Sequence, residues 1–120
     1  MADHVVFIGF GTPVRGRESQ SVEVFNQFVE MFTGMAGDGR IEGMEVVLLD
    51  PHGGDLGGFF LVRGSAEQCA ALPNDEQFRR ALSDALLIVD DLGVVQGVTG
   101  EALNEQMGRF MAAVGKVAGG

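Results

Sequence analysis

A chain of 120 residues with 46% hydrophobic and 21% charged content can bury about two thirds of its unfolded surface in one core, so a disordered chain is excluded and one domain over residues 1–120 is expected. A net charge of −9, with Lys116 the sole lysine, excludes nucleic acid and anionic membrane surfaces as natural partners, because their phosphates would be repelled. The lone Cys69 allows no internal disulfide and no CxxC pair, no apolar run nears the roughly 18 residues of a membrane span, and Met1-Ala2-Asp3-His4 does not open a secretory leader; a cytoplasmic protein is expected.

The first element, His4 to Phe10, is β-branched and aromatic and stops at Gly11-Thr12-Pro13, which predicts a strand. Between Glu18 and Ala36, Val22, Phe25, Phe28, Val29, Phe32 and Met35 recur three and four residues apart as the apolar stripe of a helix. Gly37, Gly39 and Gly43 break it, and a second strand is predicted over Met44 to Leu49, ending at Asp50-Pro51. The glycine-rich tip His52 to Gly57 then leads into a third strand, Gly58 to Val62. Ser65 and Gln68 form a capping-box pattern for a short helix that Pro73 interrupts and Asn74-Asp75 restarts, turning Phe78, Ala81 and Leu82 inward. Leu86 to Val89 reads as the fourth strand, with Val94 to Val98 a short further segment. A terminal helix over about residues 101–118 carries Leu103, Met107, Phe110, Val114 and Val117 at spacings of four, three, four and three.

This βαββαβ order plus one helix is the split βαβ arrangement of a ferredoxin-like α+β sandwich with an antiparallel sheet. An antiparallel sheet covered on one side normally alternates apolar and polar residues. These strands instead carry unbroken runs such as Val5-Val6-Phe7-Ile8, so both faces should be dry. Exposing one would forfeit about 1.5–3 kcal/mol per large side chain. Either the terminal helix folds back over that face, or a second copy covers it; two-fold pairs are the commonest oligomers, and a homodimer through the sheet face is the preferred reading.

In this order the chain resembles the dimeric α+β barrel superfamily, including antibiotic-biosynthesis-monooxygenase-like proteins. His4-Val5-Val6-Phe7 is similar to the opening strand of its stress-responsive A/B-barrel family, and Ala71-Leu72-Pro73 leading to Phe78 to that family's second-helix segment. The resemblance spans about residues 5–95 and implies two ferredoxin-like subunits paired through their sheets. It admits cofactor-independent monooxygenases, haem-degrading enzymes, isomerases and cyclases, among which fold does not choose. The absence of Trp and Tyr, and of a histidine on any predicted helix, argues against haem, and no cofactor or metal is called for.

In such a topology the loop after the first strand and the hairpin tip share one end of the sheet, gathering Arg15, Arg17, Asp50, His52 and Asp55. His52 would serve as general base, Asp55 would fix its tautomer, and Arg15 or Arg17 would hold a carboxylate or enolate; the plainer reading is a solvated loop with capping aspartates. Phe7, Phe59 and Phe60 are expected to line an apolar ligand cleft between sheet and helices. At the other end His4, Arg63, Asp90 and Asp91 are expected to meet. Gly11 to Gly16 has P-loop glycine spacing but lacks the Lys and Ser or Thr, and His52-Gly53-Gly54-Asp55 has no nucleophile elbow beside it. Cys69 reads as a buried, inert thiol. Two functions follow: a small-molecule-binding dimer, or a cofactor-independent enzyme on a carbonyl-bearing substrate; a purely structural role in assembly is a third.

Overall fold

A computed structural model describes residues 2–119. Its elements run β1 (His4–Phe10), α1 (Glu18–Asp38), β2 (Gly43–Leu48), β3 (Gly58–Gly64), α2 (Ala66–Ala71), a 3-10 turn (Leu72–Asn74), α3 (Glu76–Leu86), β4 (Gly93–Val98) and α4 (Gly100–Gly119). The four strands form one sheet in the order β2-β3-β1-β4, every neighbouring pair antiparallel. The expected βαββαβ α+β arrangement is therefore present.

Strand parity sorts the side chains. Val6, Ile8, Phe60 and Val62 point toward the helices and are buried together with Phe28, Phe32 and Met35 of α1, Cys69 of α2, and Phe78 of α3. Phe60 lies at the centre of this core, its ring 5.4–5.9 Å from those of Phe10, Phe25, Phe28 and Phe32, distances at which aromatic rings attract beyond their simple burial. Ser65 and Gln68 make the expected reciprocal capping box at the start of α2. Asp75 caps α3 through the Phe78 N–H at 3.1 Å, and also meets Arg40 at 3.0 Å. Burial alone would raise the Asp75 carboxyl, but the Phe78 amide and the Arg40 guanidinium outweigh it and hold the group below the usual carboxylate range.

The expected fourth strand is misplaced. Leu86 is the last residue of α3, Leu87 is its cap, and Val89 makes only an isolated bridge to Pro13. The strand beside β1 is the segment read as a short further one, with Val6 opposite Gln96 and Phe7 opposite Val95. A short apolar run does not by itself distinguish a helix end from a strand. Here the exposed Leu86 and Leu87 belong to a helix terminus, and Gln96 is held on the inner face by its side-chain amide, which donates to the Cys69 carbonyl at 3.0 Å.

The opposite face of the sheet is apolar and has no helix over it. Val5 and Phe7 of β1, Val47 of β2, Phe59 and Leu61 of β3, and Val95 of β4 share it by register. The rings of Phe7 and Phe59 lie 4.9 Å apart, and Phe7 covers Gly9, where a Cβ would come within 2.6 Å of the ring. Among the described residues the only charges on the face are Glu45 and Arg63, which neutralise each other at 2.6 Å. α4 does not fold back over this surface. Ala102 is its only buried residue among those described, Phe110 is 59% exposed, and the radius of gyration of 16.8 Å exceeds the roughly 14 Å of a compact chain this long. The intrachain cover considered from sequence is thus not used. Among the described residues no helix is long and apolar enough to cross a membrane.

An apolar cleft at one end of the sheet as the candidate functional site

α1 is fastened to the sheet mainly through Phe28, Met31, Phe32 and Met35, all in its second half. In its first half Val24 and Phe25 are only partly buried against the core, and Val22 is 60% exposed. Because α1 starts just after β1 ends, a gap opens at the end of the sheet where β1 and β2 finish and β3 and β4 begin. There lies a cleft of about 490 Å3, walled by Phe10, Phe25, Phe28 and Phe60 and lined also by Leu48 and Leu92. The only side-chain hydroxyls in its wall are those of Thr12 and Ser21, and no charged side chain lines it. Ser21 already donates to the Glu18 carbonyl at 2.6 Å. The cavity falls within the size range of small-molecule sites and is suited by its lining to an apolar ligand.

The rim is made by three loops laced together through their backbones. The Gly11 N–H donates to the Asp90 carbonyl at 2.7 Å, Val14 to Ile88 at 2.7 Å, Asp90 to Thr12 at 2.9 Å and Gly57 to Phe10 at 2.8 Å. Gly11 is required by this approach: a Cβ there would sit 2.9 Å from the carbonyl oxygens of both Asp55 and Asp90. Asp90 and Asp91 therefore belong to the cleft end. The expectation that they meet His4 and Arg63 at the far end fails, because it followed from the misplaced fourth strand. His4 instead meets Asp3 at 2.9 Å, and Arg63 meets Glu45.

Arg15, Arg17, Asp50, His52 and Asp55 lie in the loops of the cleft end, as the topology implied, but no hydrogen bond or ion pair described joins any two of them. The Arg17 guanidinium donates to the Leu87 carbonyl, while Arg15 is exposed in its turn. His52 is occupied by its own loop: its Nδ1 accepts the Gly54 N–H at 3.2 Å, which places the ring proton on Nε2, and Nε2 lies 2.6 Å from the Leu56 carbonyl. Neither nitrogen is free to take a proton from a substrate in this arrangement, and Asp55 does not orient the ring. Of the three phenylalanines expected in the cleft, Phe60 lines it. Phe7 and Phe59 are on the other side of the sheet, since residues one apart in a strand face opposite ways. Phe10, Phe25 and Phe28 take their place; the parity of Val6, Ile8 and Phe10, with Gly9 between them, carried that information. Among the described residues no group of three or more His, Cys, Asp or Glu side chains is arranged to hold a metal ion. Cys69 is buried, which pushes its thiol up from the ordinary value.

No family model and no curated protein matches the chain. Among solved structures, a dimeric protein of unknown function and ferredoxin-like fold from Bacteroides fragilis NCTC 9343 is similar at a TM-score of 0.59 and 13% identity, over 79% of this chain and 95% of that one. The chain has a ferredoxin-like fold. A second similar structure, from Chloroflexus aurantiacus J-10-fl and provisionally assigned as an antibiotic biosynthesis monooxygenase, has a TM-score of 0.53 and 19% identity, over 81% of this chain and 93% of that one. At these identities the likeness is one of fold. Within this ferredoxin-like frame the cleft lies between the sheet and its helical layer.

Proposed function

We propose that this protein binds a small apolar molecule in the cleft beside α1 and acts as a homodimer whose subunits pair through their open sheet faces. The observation that carries the binding reading is the cleft itself, a cavity of about 490 Å3 with an aromatic and aliphatic wall and no charged side chain, in a chain of net charge −9. Pairing is supported by the six apolar side chains on the uncovered face, by its internally neutralised Glu45–Arg63 pair, and by the dimeric state given for the Bacteroides fragilis neighbour. Native mass spectrometry of protein purified without added ligand tests both parts. The expected spectrum is a dimer with retained small-molecule mass, or a bare dimer that binds Nile red. In Val22→Trp, which fills the cleft mouth from an exposed helix position, dye affinity should fall at least about tenfold with the melting temperature unchanged. Absence of dye binding and of retained mass would remove the binding reading, and a bare monomer would remove the dimer.

A second reading, a cofactor-independent monooxygenase, isomerase or cyclase acting on a carbonyl-bearing substrate, is favoured by the assignment of the Chloroflexus aurantiacus neighbour. It would require His52 to leave its loop partners and reach the cleft rim with Asp55 and Arg15 or Arg17. Loss of turnover in His52→Ala with binding intact would support it; unchanged turnover would exclude this histidine as the base.

A further inference from the structure

The apolar stripe of α4 has no cover in the subunit. Leu103, Met107, Phe110, Val114 and Val117 follow one another at four, three, four and three residues, the spacing of a two-helix seam rather than of the broader face a helix lays on a sheet. All five are at least 42% exposed. The positions flanking the seam, among them Asn104, Gln106, Met111 and Ala113, carry no charge. α4 holds Glu101 and Glu105 in its first half, Arg109 at its midpoint and Lys116 near its end, so it carries no net charge within an acidic chain and its two ends are of opposite sign. An antiparallel pair of such helices places the acidic end of one, Glu101 and Glu105, beside the Lys116 end of the other and opposes the two helix dipoles; a parallel pair stacks like on like.

From this charge pattern and the seam spacing we propose that α4 pairs antiparallel with α4 of a second copy of this chain, forming a clasp separate from the sheet contact. The clasp rests on the self-association proposed above. It explains why the helix projects from the body, since a 20-residue helix spans about 30 Å and reaches past its own sheet.

Single-cysteine bridging tests the arrangement. Phe110 lies at the midpoint of α4, so in an antiparallel pair it sits near its twin, whereas Val117 sits about 20 Å from its own. Both positions are exposed, so Phe110→Cys and Val117→Cys should fold, and the buried Cys69 of the parent chain serves as the unreactive control. With a short bismaleimide, Phe110→Cys should convert largely to a species of twice the mass and Val117→Cys should not. Bridging of both would overturn the antiparallel orientation. Bridging of neither, in protein that native mass spectrometry shows to be a dimer, would overturn the clasp and leave the sheet pairing standing; bridging of neither in a monomer would overturn both.

Discussion

Phe59 and Phe60 are neighbours in β3, yet their truncation should have different consequences. Phe60 is 3% exposed and surrounded by four phenylalanine rings, so Phe60→Ala should cost about 3–5 kcal/mol of folding stability, independent of protein concentration. Phe59 faces the open side and is partly buried against Phe7. Full burial of a phenylalanine is worth about 1.5–3 kcal/mol. With at least about two thirds of that already realised inside the subunit, a partner sheet would add about 0.5–1 kcal/mol per copy. Two-fold symmetry counts the residue twice, so Phe59→Ala should weaken the dimer by about 1–2 kcal/mol, about 5- to 30-fold in Kd. A dilution series followed by sedimentation or native mass spectrometry reads the Kd, and denaturant unfolding at two concentrations reads the stability. If Phe59→Ala leaves the Kd within about threefold of the parent value, the open face is not the interface and the reasoning from two dry faces fails.

Asp75→Ala removes the cap of α3 and should cost about 1 kcal/mol near neutral pH, about 4 °C in Tm for a chain this size. Because the folded carboxyl is held below its unfolded value, the charged part of its contribution is present above the unfolded carboxylate pKa and is lost as pH falls through the folded one. The gap between parent and variant in thermal melts should therefore narrow on acidification through that range. Gly11→Ala forces a methyl against two backbone carbonyls and should destabilise by about 1–3 kcal/mol. Gly34→Ala, in the exposed interior of α1 with nothing near its Cβ position, should stabilise by about 0.5–1 kcal/mol; equal effects in denaturant titrations would contradict the close packing at the rim.

Much of the architecture could be read from periodicity. The stripe of α1, the capping box at Ser65, the restart at Asp75 and the seam of α4 each depend on local chemistry, and local chemistry is what a sequence displays directly. The fourth strand was lost because Leu86 to Val89 and Gly93 to Val98 are both short and apolar, and only pairing with β1 separates them. That one displacement moved Asp90 and Asp91 from the cleft rim to the far end. The site was less legible for a related reason. Runs such as Val5 to Ile8 are apolar on both faces, so hydrophobicity alone could not assign Phe7 and Phe59 to one side and Phe10 and Phe60 to the other. The polar cluster at the loops was located correctly by topology, but the bonds that occupy His52 and Arg17 are with backbone carbonyls and a backbone amide, whose positions no residue type announces.

The lacing of the three rim loops divides the cleft into a stiff frame and a compliant wall. The backbone N–H groups of Gly11, Val14, Gly57 and Asp90, each donating to a carbonyl of another loop or strand end, let go only when several bonds break together, whereas the first half of α1 is held by few buried side chains. For the binding proposed above, the start of α1 is the wall that would yield to a larger guest. Changes of preference among guests would then arise from substitutions at α1 positions such as Val22 and Val24, with the loops and the sheet left as they are.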